Sequence, residues 1–167
     1  MPSKSFYVGK RAGARRSSHH RAGALSAFRR VATGALSSLL WVLLNLKIGK
    51  IPALVDTGAQ FSCIRSDVVE YLYLRGEGCV FSPCSMTCLL ADGKKGQISN
   101  AVRLHVGLLS FMWDQEFKIL KEGPFPAILG MDFLQHTQMR VELSSRTYLF
   151  AFAPTCVGSF SPRGIRK

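Results

Sequence analysis

A chain of 167 residues, 47% of them hydrophobic, has enough apolar material for one packed domain with tails and is short for two domains. Its net charge of +12 sits at the ends: residues 1–35 carry eight Lys or Arg and no acid, residues 154–167 carry three more, and eleven bases face all ten acids in between. A near-neutral centre excludes a uniformly basic nucleic-acid-binding fold, and an odd count of five cysteines fits a reducing compartment better than a secreted disulfide framework.

Residues 1–35 are rich in Gly, Ala, Ser and Arg, lack apolar periodicity and read as a disordered basic tail. Their acid-free, Arg-rich composition is similar to a mitochondrial presequence, which is the alternative to the expected cytoplasmic location. The apolar run Leu36–Leu46 is shorter than the roughly 20 residues a membrane-spanning helix needs, so no membrane partner is expected. From Leu39 to Ile48 the pattern predicts a strand, Gly49-Lys50 a turn, and Ile51–Val55 a second strand, together a hairpin. Asp56-Thr57-Gly58-Ala59 then forms a polar loop, and Phe61–Ile64 returns to strand. Ser66 is placed to cap a helix over Asp67–Leu74 that Gly76 and Gly78 end.

Residues 79–84 read as a loop because of Pro83, and Met86–Leu90 as a strand. Asp92–Gly96 is a turn between that strand and one from Gln97 to Val106. Phe111–Leu120 is a further strand, Gly123–Pro126 a rigid connector and Ala127–Leu129 a short buried strand ending at Gly130. Met131–His136 predicts about one and a half helical turns. Met139–Leu143 and Thr147–Phe152 are the last strands, with Pro154 opening a basic tail. Seven or eight short strands with two short helices predict a mainly-β barrel or sandwich. Cys79, Cys84 and Cys88 lack the C-x2-C pair of a structural zinc site, so no metal is expected. His105 and His136 read as surface residues, Trp41 and Trp113 as core or edge aromatics, and Asp132 as a helix N-terminal or loop-pairing acid.

An Asp-Thr-Gly loop after an apolar strand has a chemical logic. One ionised carboxylate is a weak base for activating water at neutral pH. Two carboxylates about 3 Å apart share one proton, so one can take a proton from water while the other donates a hydrogen bond to a carbonyl. The stretch Ile51-Pro52-Ala53-Leu54-Val55-Asp56-Thr57-Gly58-Ala59-Gln60-Phe61-Ser62-Cys63-Ile64 resembles the active-site segment of retropepsins, and Ala127-Ile128-Leu129-Gly130-Met131-Asp132-Phe133-Leu134 resembles their second signature. The likeness covers roughly residues 40–152 and is nearest to proteases of gypsy-class long-terminal-repeat retrotransposons.

That resemblance implies a mainly-β acid-protease barrel over 36–153, with 154–167 a basic C-terminal tail, forming half of a symmetric dimeric active site. It implies that Asp56 is the catalytic aspartate, contributed once per subunit of a homodimer. Thr57 would bond across the dimer axis, and Gly58 and Ala59 would hold the backbone near the carboxylates. Ile128, Leu129 and Gly130 would pack behind the loop, while Ala91, Asp92, Gly93 and Gly96 would belong to a flap over bound peptide. The implied activity is cofactor-free hydrolysis of a peptide or polyprotein. The alternative is a catalytically inactive module for dimerisation or peptide binding. Weak nucleic-acid contact through the N-terminal arginines is a further expectation.

Overall fold

The computed structural model describes residues 39–89, 93 and 95–161. The N-terminal basic stretch, with its expected disorder, targeting and nucleic-acid contact, lies outside the described residues, as do the last basic residues from 162 onward. Hydrophobic alternation makes β1 (Trp41–Leu46) and β2 (Gly49–Val55), which pair antiparallel from Trp41↔Leu54 to Leu46↔Gly49. The turn is Lys47-Ile48 and not the expected Gly49-Lys50. Gly49 enters β2 with φ +143°, a conformation open to glycine, and Ile48 N–H is held by the buried Glu77 carboxylate at 3.1 Å.

β3 (Cys63–Arg65), β4 (Val80–Leu89), β5 (Lys95–Leu108), β6 (Phe111–Leu120) and β7 (Ala127–Leu129) complete a sheet ordered β1-β2-β7-β3-β6-β5-β4. Asn45↔Gly107 joins β1 to β5, so six strands close into a barrel and β4 rides outside on β5. Inward residues such as Leu44, Ala53, Val55, Ile64, Leu104, Phe117 and Leu129 fill it. Helix α1 (Ser66–Leu74) lays Val68, Val69 and Leu72 on this core, the i, i+1, i+4 stripe of a half-buried helix. Helix α2 (Met131–His136) contributes Phe133 and Leu134. Strands β8 (Met139–Glu142), β9 (Thr147–Phe150) and β10 (Ala153–Ser159) form a second sheet in the order β10-β9-β8. An aromatic stack ties it to the barrel: Phe150 lies 4.8 Å from Trp113 and 5.6 Å from Phe111, centroid to centroid.

Three local expectations are corrected. Ser66 does not cap α1: Arg65 occupies that position without a side-chain cap, and the Ser66 hydroxyl donates to Lys121 O at 3.2 Å. Residues 80–84 are strand and not loop. Ser82, Cys84, Met86 and Cys88 are half-buried between exposed neighbours, and Pro83 is accommodated because β4 is outermost and its register shifts between Pro83 and Met86. The ordered chain also continues past Phe152. Pro154 sits in a register shift of β10 between Ala153 and Val157, and beyond it Phe160 N–H donates to Arg146 O and Ser161 N–H to Trp41 O, both at 2.9 Å.

Phe160 is buried against Tyr148 with ring centroids 5.0 Å apart. Phe160→Ala is therefore expected to cost about 3 kcal/mol in a urea unfolding experiment. A loss below about 0.5 kcal/mol, the range of neutral surface changes, would mean that this segment is not part of the folded unit.

Candidate active site

Strand β2 ends in Asp56, and the chain leaves the sheet there. Asp56 N–H donates to Leu129 O at 3.0 Å, continuing the parallel pairing of β2 with β7, in which Val55 faces Leu129. Gly58 N–H donates to Asp56 Oδ1 at 2.9 Å and Ala59 N–H to Asp56 O at 3.2 Å, so the loop folds back on its own aspartate. A side chain at position 58 would begin 3.2 Å from that carboxylate oxygen. Asp56 and Ala59 are half-buried, and Thr57 and Gly58 are exposed. Among the described residues the Thr57 hydroxyl has no hydrogen bond.

The second signature lies directly behind this loop. Met131 N–H donates to Ala59 O at 2.8 Å, Asp132 N–H to Gln60 O at 3.3 Å, and Gly130 N–H to Ser62 Oγ at 3.1 Å. A Cβ on Gly130 would lie 2.6 Å from the Phe61 carbonyl carbon and 2.9 Å from Ala59 O, so only glycine fits. Leu129 is buried in the core, whereas Ile128, between the inward residues Ala127 and Leu129, turns to the opposite sheet face and is half-buried. Asp132 is a bonding acid: its carboxylate accepts from Ser62 Oγ at 2.7 Å, Gln115 Nε2 at 2.9 Å and Phe133 N–H at 2.8 Å. Ser62 and Gln115 escape sequence reading because their partners lie 70 and 17 residues away.

Of the expected flap residues, Ala91 and Asp92 lie outside the described residues. Gly93 is exposed with φ +79°, and Gly96 pairs with Cys88 at the start of β5. The hairpin therefore consists of β4 and β5, longer than expected at both ends. His105 and Asp114 face each other across β5 and β6 at 2.8 Å, both exposed, and His136 is exposed on α2. All five cysteines are free. Among the described residues no cluster of three or more His, Cys, Asp or Glu is placed to hold a metal ion, and no helix is long and apolar enough to cross a membrane.

No family model matches this sequence, and no curated protein matches it. Solved structures do. The retroviral protease-like domain of Ddi1 from Leishmania major aligns over 79% of this chain and 95% of its own, with a TM-score of 0.55 at 19% identity. The fold is retropepsin-like. The EIAV protease in complex with an inhibitor covers 66% of this chain and 99% of its own at 16% identity and a TM-score of 0.49. A retropepsin-like aspartic protease from Rickettsia conorii covers 62% and 84% at 18% identity and a TM-score of 0.46. Within the retropepsin-like barrel of this chain, the Asp56 loop and the Gly130 turn are the two segments that the ring of strands brings together.

Two measurements test this construction. Gly130→Ala forces backbone apart at Ala59 and Phe61 and is expected to lower the unfolding free energy by more than about 2 kcal/mol, read by urea titration. A neutral result would mean that the loop and the turn are not in contact. Burial pushes the Cys63 thiol from 9.0 up to about 12, with Cys88 and Asp132 adding to the shift and Lys118 opposing it. A raised folded-state pKa means that its contribution to stability is intact below pH 9 and is lost as pH rises toward 12. Accordingly, iodoacetamide at pH 8 should alkylate Cys63 last of the five cysteines, as followed by peptide mass mapping.

Proposed function

We propose that this chain is an aspartic endopeptidase that works as a homodimer, with one Asp56 from each subunit. The observation that carries the proposal is the carboxylate of Asp56, a half-buried residue, held at the end of β2 by Gly58 N–H and backed by the Gly130 turn. The sequence contains a single Asp-Thr-Gly, so a pair of such carboxylates requires two chains. The exposed Thr57 and Gly58 leave the loop free to meet its twin across a two-fold axis.

In the pair, two carboxylates share one proton. The ionised one takes a proton from water as the water oxygen adds to the scissile carbonyl carbon. The protonated one gives its proton to the carbonyl oxygen, so that a neutral tetrahedral diol forms. As the diol collapses, the carboxyl that took the proton of water passes it to the amide nitrogen, which leaves as an amine, and a diol hydroxyl returns its proton to the other carboxylate. An extended peptide would lie between the loop and the β4–β5 hairpin, using main-chain hydrogen bonds for affinity and side-chain pockets for selectivity. The resemblance to gypsy-class proteases favours retrotransposon-derived polyprotein processing. The five free cysteines favour a reducing, cytoplasmic setting.

The test pairs the intact protein with Asp56→Asn on a polyprotein-derived peptide at mildly acidic pH, with sedimentation to report dimers. The substitution is expected to reduce cleavage by at least about a thousandfold. Equal cleavage by both proteins would remove Asp56 from the mechanism. A dimer that binds peptide without turning it over would assign the chain to the inactive-module alternative.

A further inference from the structure

Cross-strand registers place one row of residues over the sheet face turned away from the barrel core. It runs from Leu54 on β2 through Ile128 on β7, Cys63 on β3 and Lys118 on β6 to Ala101 on β5. Residues paired across a sheet share a face. Leu54, Cys63 and Ala101 are buried yet stand outside the core cluster, whereas their chain neighbours Val55, Ile64 and Val102 belong to it. Asp56 follows Leu54 by two residues and its N–H donates to Leu129 O, so the row begins beside the Asp56 loop.

Beside Asp56 the row is apolar: Leu54, Ile128 and Cys63. It then becomes charged at Lys118, whose side chain is 21% exposed. The distance across the sheet from Ile128 to Lys118 is roughly 10 Å, two strand spacings, which three residues of extended peptide can span. The Lys118 ammonium donates to Glu116, which with the nearby Cys84 thiol holds its pKa above the usual lysine value. An ammonium has three donors. Glu116 stands opposite Arg103 in the register of β5 and β6. Asp132, the acid that acts on the Cys63 thiol, is already held by Ser62, Gln115 and Phe133 N–H, and Lys118 is the cation in the row that leads to Asp56.

We propose that one side chain of the bound peptide, the one lodged beside Cys63, is acidic, and that Lys118 is its counter-ion and a specificity-determining residue. This rests on the peptide-cleft reading above. It goes beyond that reading by fixing the chemical class of one substrate position.

The experiment uses the full-length Asp56→Asn protein, so that binding is read without cleavage. Octapeptides carrying Glu, Gln or Lys at each position in turn are titrated at pH 6, where a glutamate side chain is ionised. At one position Glu is expected to bind roughly tenfold more tightly than Gln, with Lys weakest. Adding Lys118→Met should bring the Glu-to-Gln ratio at that position to about one and leave the other positions unchanged. Equal binding of Glu and Gln at every position overturns the proposal, as does a ratio that survives Lys118→Met. A preference for Lys would assign the site to Glu116 and overturn it equally. If Lys118→Met unfolds, Lys118→Gln is titrated in its place and must likewise bring the ratio to about one. Loss of the protease reading looks different: intact protein would cut nothing while the glutamate preference persists.

Discussion

The contact between the Gly130 turn and the backbone of residues 59–61 is the point on which the rest depends. Two segments some seventy residues apart approach so closely that a single methyl group would collide with carbonyl atoms of both Ala59 and Phe61. The reward for this proximity is a set of backbone hydrogen bonds from the Gly130 turn to the Asp56 loop, from Asp56 N–H to Leu129 O at one end to Asp132 N–H to Gln60 O at the other. A loop held this way keeps its aspartate in one orientation without spending side-chain entropy on the task. Placing a reactive group on a rigid support is what chemistry at a carboxylate pair requires.

Around that contact the polar side chains form a closed circuit. Ser62 accepts from Gly130 N–H and its hydroxyl donates to Asp132, while Gln115 on β6 donates to the other oxygen of the same carboxylate. Ser62 and Gln115 are buried, so each would be costly if left unsatisfied. The circuit couples β6, and through it the β4–β5 hairpin, to the loop at β3. The wall that would receive substrate and the loop that would act on it are thereby parts of one packed body.

Much of this could be read from the chain as written, because it is encoded locally. Ile51–Ile64 and Ala127–Leu134 are continuous strings in which apolar strand, glycine and short helix follow one another, and the helices at Asp67–Leu74 and Met131–His136 show their inward faces in their spacing. What escaped depends on distant partners. The first half of β4, residues 80–85, is hidden by its proline, and it is a strand because β5 lies beside it. β10 contains Pro154 and Gly158 in a stretch that resembles a tail, and it takes shape against β9, where Gly158 leaves room for the Tyr148 ring. The bonds of Ser62 and Gln115 to Asp132 leave no local trace, since that carboxylate lies 70 and 17 residues away along the chain.

The position of β4 outside the closed ring has a consequence for solubility. It is the last strand of its sheet, and it displays Val80, Phe81 and Leu89 to solvent, the kind of border along which chains associate into aggregates. Pro83 has no N–H to offer there, and the register shift after it twists the strand out of a straight line. The border is interrupted midway, so it cannot serve as an unbroken template for edge-to-edge growth.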